Sequence, residues 1–167
     1  MKSVFCLLLL INVSMVSLGQ THSELADQAM NRMKASDFKG ALNLWDRAIS
    51  LNQKELWYYY NRGLCKNNLQ DYIGGIQDFN IYIRAVPNDG DGYHERARCK
   101  FHLEDYRGAI QDLNLAISIN SSKAESYYMR GHCKYQINDF NGGCLDFSKA
   151  GELGYKKAYQ VIREFCN

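Results

Sequence analysis

The sequence lacks a strong charge of either sign, and it lacks the short motifs that mark common enzymes. Its formal net charge is +2 over 167 residues, without a run of five like charges, which argues against nucleic acid or an anionic membrane as a partner. It contains no HExxH metal motif, no glycine-rich phosphate loop, no GxSxG nucleophile turn and no CxxC pair. These absences favour a non-enzymatic protein without a cofactor.

The one long apolar run lies at the N-terminus. A lysine precedes an almost wholly apolar stretch from Val4 to Val16, and Ser17 and Gly19 place small residues at the two positions that a signal peptidase reads. The run is shorter than the roughly 20 residues that span a bilayer. We therefore expect residues 1–19 to be a signal peptide that is cleaved before Gln20. The mature chain is then exported and does not insert into the membrane.

The rest of the chain repeats a pattern every 34 residues. Small residues recur at Ala29, Gly63, Ala97 and Gly131. Four other positions keep the same interval: Leu25, Tyr59, Tyr93 and Tyr127; Phe38, Tyr72, Tyr106 and Phe140; Ala41, Gly75, Ala109 and Gly143; Trp45, Phe79, Leu113 and Phe147. Four copies in register predict a stack of equivalent structural units.

The period and the order of large, small and aromatic positions resemble the tetratricopeptide repeat (TPR), over about residues 23–154. The stretch from Cys144 through Gly154 to Cys166 resembles the terminal repeat of bacterial secreted TPR proteins. The resemblance implies an all-α, right-handed α-solenoid of four helix pairs plus a C-terminal capping helix, located in the periplasm or outside the cell. The predicted domain is 20–167, with repeats at about 22–55, 56–89, 90–123 and 124–154 and the capping helix at 155–166.

Each repeat should form two antiparallel helices, at roughly 59–68 and 72–85 in the second copy. An aspartate precedes the second helix in every copy and can accept hydrogen bonds from its free N–H groups, worth about 1 kcal/mol. The four N-cap aspartates are Asp37, Asp71, Asp105 and Asp139. Glycine pairs such as Gly63 with Gly75 predict close backbone contact between the two helices, although drift among small residues is an alternative.

Charges vary together between the repeats. Copies two to four carry an arginine on the first helix and an aspartate on the second, whereas copy one has neither. The predicted pairs are Arg62 with Asp78, Arg96 with Asp112 and Arg130 with Asp146. We interpret them as structural ion pairs because each arginine has its own acid. The functional alternative is an arginine row that binds phosphate or an acidic peptide.

Five cysteines remain after cleavage. Cys65, Cys99 and Cys133 share one repeat position and are expected to be small core thiols; a thiol-redox or metal protein that uses them is the alternative. Cys144 lies near the start of the last second helix, and Cys166 lies near the end of the antiparallel capping helix. Export to an oxidising compartment then allows a Cys144–Cys166 disulfide.

The functional prediction concerns the concave groove that the first helices of TPR arrays line. The resemblance places these side chains in it: Asp27, Met30, Trp57, Tyr60, Asn61, Leu64, Asn68, Asp91, His94, Glu95, Arg98, His102, Glu125, Tyr128, Met129, His132, Tyr135 and Gln136. Exposed aromatics beside hydrogen-bonding groups favour binding of a protein or extended peptide. Two alternatives stay open: a face that is merely solvated, and a structural subunit of an envelope complex, monomeric or weakly self-associating.

One known TPR binding mode does not fit the groove. The two-carboxylate clamp of chaperone adaptors needs lysine, arginine and asparagine at five fixed places. In one register those places hold Ala26, Met30, Asn61, Asp91 and Glu95, and in the next they hold Tyr60, Leu64, Glu95, Glu125 and Met129. Only Asn61 matches, and carboxylates stand where the clamp has cations. We therefore expect a neutral or basic ligand, anchored on Trp57, Tyr60 and Tyr128.

Overall fold

The computed structural model describes residues 20–166, and the predicted signal peptide lies outside them. Over this range it contains nine α-helices and no strand: α1 His22–Lys34, α2 Phe38–Leu51, α3 Leu56–Asn68, α4 Tyr72–Ala85, α5 Gly90–His102, α6 Tyr106–Ile119, α7 Ala124–Gln136, α8 Phe140–Glu152 and α9 Lys157–Phe165. Each helix packs mainly on its neighbours in sequence. The predicted solenoid of four helix pairs and a capping helix is confirmed.

The aspartates cap the second helices as predicted. Asp71 accepts a hydrogen bond from the Gly74 N–H at 2.9 Å, and the equivalent bonds reach Gly40, Gly108 and Gly142. The predicted helix bounds differ from the structure in two places: α3 begins at Leu56 rather than near residue 59, and α9 begins at Lys157 rather than Tyr155. The α3 N-cap, Glu55, makes no side-chain capping bond, so sequence offered no start signal there.

One residue in each turn between paired helices has a left-handed backbone. These residues are Ser36, Gln70, Glu104 and Asn138, with φ from 59° to 65°. The turn continues with the aspartate N–H bonding back to the first helix, for example from Asp71 to Lys66 O at 2.9 Å. Ser36, Gln70 and Glu104 are neither glycine nor asparagine, so their side chains disfavour this conformation. The turn therefore imposes the left-handed backbone on them.

The core runs between the two helix layers. Trp45, Phe79, Leu113 and Phe147 fill it at one repeat position, and all four are buried. The small residues let the helices of a pair approach: a Cβ added at Gly143 would lie 3.0 Å from Gly131 O, and one at Gly75 would lie 3.4 Å from Gly63 O. The predicted backbone contact in the two glycine repeats is confirmed.

Successive first helices touch each other. Contacts join α3 to α5 and α5 to α7, and no comparable contact joins successive second helices within residues 20–166. A stack in which one layer is closer together curves toward that layer. The side of α1, α3, α5 and α7 that faces away from the second helices is therefore concave, and we call it the inner face.

Candidate interaction groove

The inner face between α3 and α5 carries a polar pocket of about 240 Å³, lined by Asn67, Asn68, Gln70, Tyr72, Arg98 and His102. Tyr72 and His102 stack with their rings 4.7 Å apart and 10° from parallel, which fixes one wall. Asn68 is exposed, and its amide N–H donates to Leu64 O at 2.8 Å. The pocket therefore presents amide and imidazole groups to a ligand.

Arg98 lines this pocket and is held by two groups. Its Nη2 is 2.6 Å from Glu95 Oε2, and its Nε is 2.7 Å from the Asn67 side-chain oxygen in the amide orientation that satisfies both groups. The Glu95 side chain is only 13% exposed, and burial raises its pKa. Glu95 Oε2 accepts no well-aligned hydrogen bond and depends on the charge of Arg98. Arg98 is thus neutralised before any ligand arrives.

Between α5 and α7 lies an apolar pocket of about 180 Å³, lined by Arg98, Phe101, His102, Tyr128, Met129 and His132. Arg98 and His102 belong to both pockets, so the two depressions adjoin. Burial lowers the pKa of His132, which favours its neutral ring at neutral pH. Met129 was among the predicted groove residues, whereas Phe101 was not; the sequence signal of Phe101 was only its position three residues after Arg98.

Two predicted groove residues are corrected by the structure. His94 is 6% exposed, and its Nδ1 is 2.9 Å from Ser126 Oγ beneath the next repeat. This burial lowers the pKa of His94 to about 4. Asn61 is 9% exposed and donates its amide N–H to Trp57 O at 2.8 Å. Neither side chain offers a free surface to a ligand, because each is used within the solenoid.

The predicted aromatic anchors are partly covered by neighbours. Tyr60 packs on Phe79 and Tyr82, and burial raises its pKa. Tyr128 lies 4.6 Å from the ring of Tyr155, at the turn before α9. Trp57 packs edge-on against the rings of buried Trp45 and Tyr58 yet stays 40% exposed. Leu64 is half-buried and Tyr135 packs on Phe140 and Phe165.

The predicted arginine–aspartate pairs form a ladder away from the pockets. In copy three, Arg96 Nε and Nη2 donate to the two carboxylate oxygens of Asp112 at 2.9 and 2.6 Å. Arg96 Nη1 donates to Asn80 of the preceding second helix, and Lys100 Nζ lies 2.9 Å from Asp112. The same arrangement occurs with Arg62, Asp78, Lys66 and Asp46, and with Arg130, Asp146, Lys134 and Asn114. The sequence reading missed the lysines and the contact between repeats.

The cysteines divide into two kinds. Cys144 and Cys166 are joined by a disulfide with their Cα atoms 5.7 Å apart, which links the start of α8 to the end of α9. Cys65, Cys99 and Cys133 are free and fully buried, and burial raises their pKa values to about 11, 12 and 12. Within residues 20–166 no three cysteine, histidine or carboxylate side chains converge as a metal site requires.

Comparison with models of known families finds no match, and no curated protein sequence matches. Solved structures do match. MamA 41-end from Desulfovibrio magneticus RS-1 superposes with a TM-score of 0.77 at 16% identity, covering 81% of this chain and 76% of that chain. "YrrB: a TPR protein with an unusual peptide-binding site" gives 0.68 at 20% identity, over 78% and 68%. The first TPR of Spaghetti (RPAP3), bound to the HSP90 peptide SRMEEVD, gives 0.65 at 21%, over 68% and 91%. The 34-residue repeat, the helix packing and these likenesses together show that the chain folds as a tetratricopeptide-repeat solenoid.

Proposed function

We propose that this chain is an exported, non-enzymatic module that binds a protein or an extended peptide on its inner face. Two of the structural neighbours are peptide-binding TPR proteins by their descriptions, which supports a protein-interaction role in general. Export rests on the apolar segment at residues 1–19. Within residues 20–166 no helix is long and apolar enough to cross a membrane.

The observation that carries this proposal is the pair of adjoining pockets that share Arg98 and His102. One pocket offers hydrogen-bonding groups and the other offers apolar walls, which is the mixture that recognises a peptide by both backbone and side chain. Each pocket is smaller than the roughly 300 Å³ of a typical small-molecule site. The surface therefore suits successive residues of a chain better than one compact metabolite.

Affinity capture tests the proposal and identifies the ligand. The bait is residues 20–167, and the extract comes from the envelope fraction of the source cells. A variant with Leu64→Glu and His102→Glu changes the inner face, and Ile73→Glu on α4 is the matched control because Ile73 is 63% exposed on a second helix. We expect one protein to be retained by the native bait and the control and lost by the inner-face variant. Retention of the protein by all three baits would show that it does not bind on the inner face.

The groove should not bind an acidic C-terminus. Asp27, Asp91 and Glu125 are exposed on the inner face, and Arg98 is already paired with Glu95. A peptide ending in EEVD would meet repulsion there instead of charge-assisted hydrogen bonds. Calorimetry with the free-acid and amidated peptides is expected to show equal, negligible binding. Micromolar binding that depends on the free carboxylate would contradict the assignment of the groove.

A second candidate function is self-association through the C-terminal end. An open depression there is lined by Phe140, Leu145, Ile162 and Phe165 beside the disulfide, and Leu145 is 73% exposed. Large exposed apolar side chains in one place favour a protein contact. If this end joins copies of the chain, light scattering at micromolar concentration should give a dimer, and Leu145→Lys should return it to a monomer. A native chain that stays monomeric removes this candidate.

A thiol-redox function predicts reactive cysteines in the folded chain, whereas a structural role in the core predicts unreactive ones. Thiolate is the reactive form, and burial raises the pKa values of Cys65, Cys99 and Cys133 well above neutrality. We expect the folded mature chain to resist iodoacetamide at pH 8 and all three thiols to react after denaturation in guanidinium chloride. Mass spectrometry counts the modified sites. Rapid modification of any of the three in the folded chain would favour the redox alternative.

A further inference from the structure

The apolar pocket between α5 and α7 has walls that are already held in place. Phe101 packs edge-on against Tyr106, and His102 stacks on Tyr72. Across the pocket, Tyr128 and His132 lie against each other at 4.6 Å, and both contact Phe147 of the core. A ligand group entering this pocket would find its contacts formed in advance, which lowers the entropy lost on binding.

The size of the pocket suits one side chain. Its volume is about 180 Å³, whereas a buried apolar cavity of roughly 150 Å³ holds benzene. Aromatic rings and a methionine make most of the lining, so the group that fits best is a phenyl ring or a large aliphatic side chain. Arg98 at the edge adds no attraction for an anion because Glu95 neutralises it at 2.6 Å.

Carboxylates lie beside the pocket toward the start of both helices. Glu125 is exposed on α7 one turn before Met129, so the two side chains are neighbours roughly 5–6 Å apart at Cβ. On α5, Glu95 and Asp91 lie on the same stripe as His102, about two and three turns before it, and Lys123 pairs with Asp91 at 2.6 Å. Within residues 20–166 no ion pair of Glu125 is found. Glu125 is thus the acid on this rim that is available to a cation.

We propose that the apolar pocket anchors one aromatic or large aliphatic side chain of an extended peptide, and that a lysine or arginine two residues away from it pairs with Glu125. An extended chain advances about 3.3–3.6 Å per residue and returns to the same side every second residue, so this spacing matches one helical turn of α7. The inference rests on the proposed function and names the ligand class for it.

The test uses two short blocked peptides as probes. One carries arginine, serine and phenylalanine in that order between glycine–serine ends, and the other carries the reverse order. Binding is followed by NMR titration of the mature chain up to about 1 mM peptide, where weak complexes with dissociation constants near that value are detected. We expect one order to shift the Met129 and His132 signals. Replacing its phenylalanine by serine should abolish the shifts, and replacing arginine by glutamate should weaken binding roughly tenfold.

Protein variants test whether the peptide occupies this pocket. Glu125→Lys changes an exposed side chain, and Met129→Gln keeps the side-chain length; both should weaken binding roughly tenfold, while Ile73→Lys on α4, where Ile73 is 63% exposed, should not. Thermal unfolding checks that each variant is folded. Binding that is unchanged in both Glu125→Lys and Met129→Gln overturns the pocket and leaves inner-face binding standing. Failure of both peptides to bind also overturns the pocket, and the capture experiment then judges the proposed function separately.

Discussion

Replacing Asp112 by alanine should lower the free energy of unfolding by about 3–5 kcal/mol, the range for breaking a buried ion pair on one side. The Asp112 side chain is only 3% exposed, and it receives both Arg96 and Lys100. Its removal leaves two cations beside a helix contact with no compensating charge. Because Arg96 also reaches Asn80, the loss should loosen the junction between repeats two and three.

Asp46→Ala is the matched control. Asp46 makes one contact to the same kind of arginine, Arg62 Nη1 at 2.9 Å, but its side chain is 56% exposed. Exposed pairs contribute roughly 0–1 kcal/mol, so this variant should be nearly as stable as the native chain. Urea unfolding followed by circular dichroism measures both. Similar losses for the two variants would show that the ladder is not shielded from water.

The ion-pair ladder also bears on the relative stability of the Arg96→Ala and Arg98→Ala variants. From the sequence alone, Arg96→Ala is expected to destabilise the fold more than Arg98→Ala, by roughly 1 kcal/mol, because it leaves Asp112 unpaired beside a helix contact. The structure gives Arg98 partners too, since it neutralises Glu95 and contacts Asn67. We therefore expect the order to hold with a smaller difference. A greater loss for Arg98→Ala would make the groove arginine the more important structural group.

Converting both Cys144 and Cys166 to serine should cost roughly 3 kcal/mol of stability, as estimated for closure of a loop of this length. Helix α9 has a single fully buried side chain, Ala158, so few apolar contacts hold it without the disulfide. The loss should therefore begin at the C-terminus, where an unlinked end frays most easily. Hydrogen exchange of α9 and thermal unfolding of the whole domain measure the two effects.

Reductant supplies the control for the disulfide. It should lower the stability of the native chain to that of the double serine variant and leave the variant unchanged, because the remaining cysteines are already free thiols. Peptide mapping without reduction checks the linkage. Free thiols at both Cys144 and Cys166, or a link that involves Cys65, Cys99 or Cys133, would contradict the prediction.

Periodic features of the chain could be predicted without coordinates. The 34-residue interval identified the helix pairs, the capping aspartates and the close Gly131–Gly143 contact, because each depends on residues near in sequence or repeated in every copy. The left-handed turn residues escaped prediction. Ser36, Gln70 and Glu104 carry no glycine signal, and the hydrogen bonds of the turn impose their conformation.

The candidate site was harder to predict, because access depends on how successive repeats pack. Sequence placed His94 and Arg98 on the same stripe of α5, yet His94 lies beneath α7 and Arg98 lies between two open pockets. Phe101 was missed because its role arises from a pocket between two helices of different repeats, α5 and α7. When a pocket is lined by side chains from two repeats, the sequence of neither repeat alone predicts it.

Sequence alone thus determined the repeat, its helices and the identity of the paired charges, since those follow from local propensity, capping and a regular interval. The tertiary structure alone decided which inner-face side chains are free. Each first helix presents one row of side chains to the neighbouring helices. How closely the neighbouring side chains pack on that row determines which of its residues are buried. Tyr60 is covered by Tyr82, while Glu125 is exposed. The burial of each side chain depends on the packing of three helices at once, which the order of residues does not specify by itself.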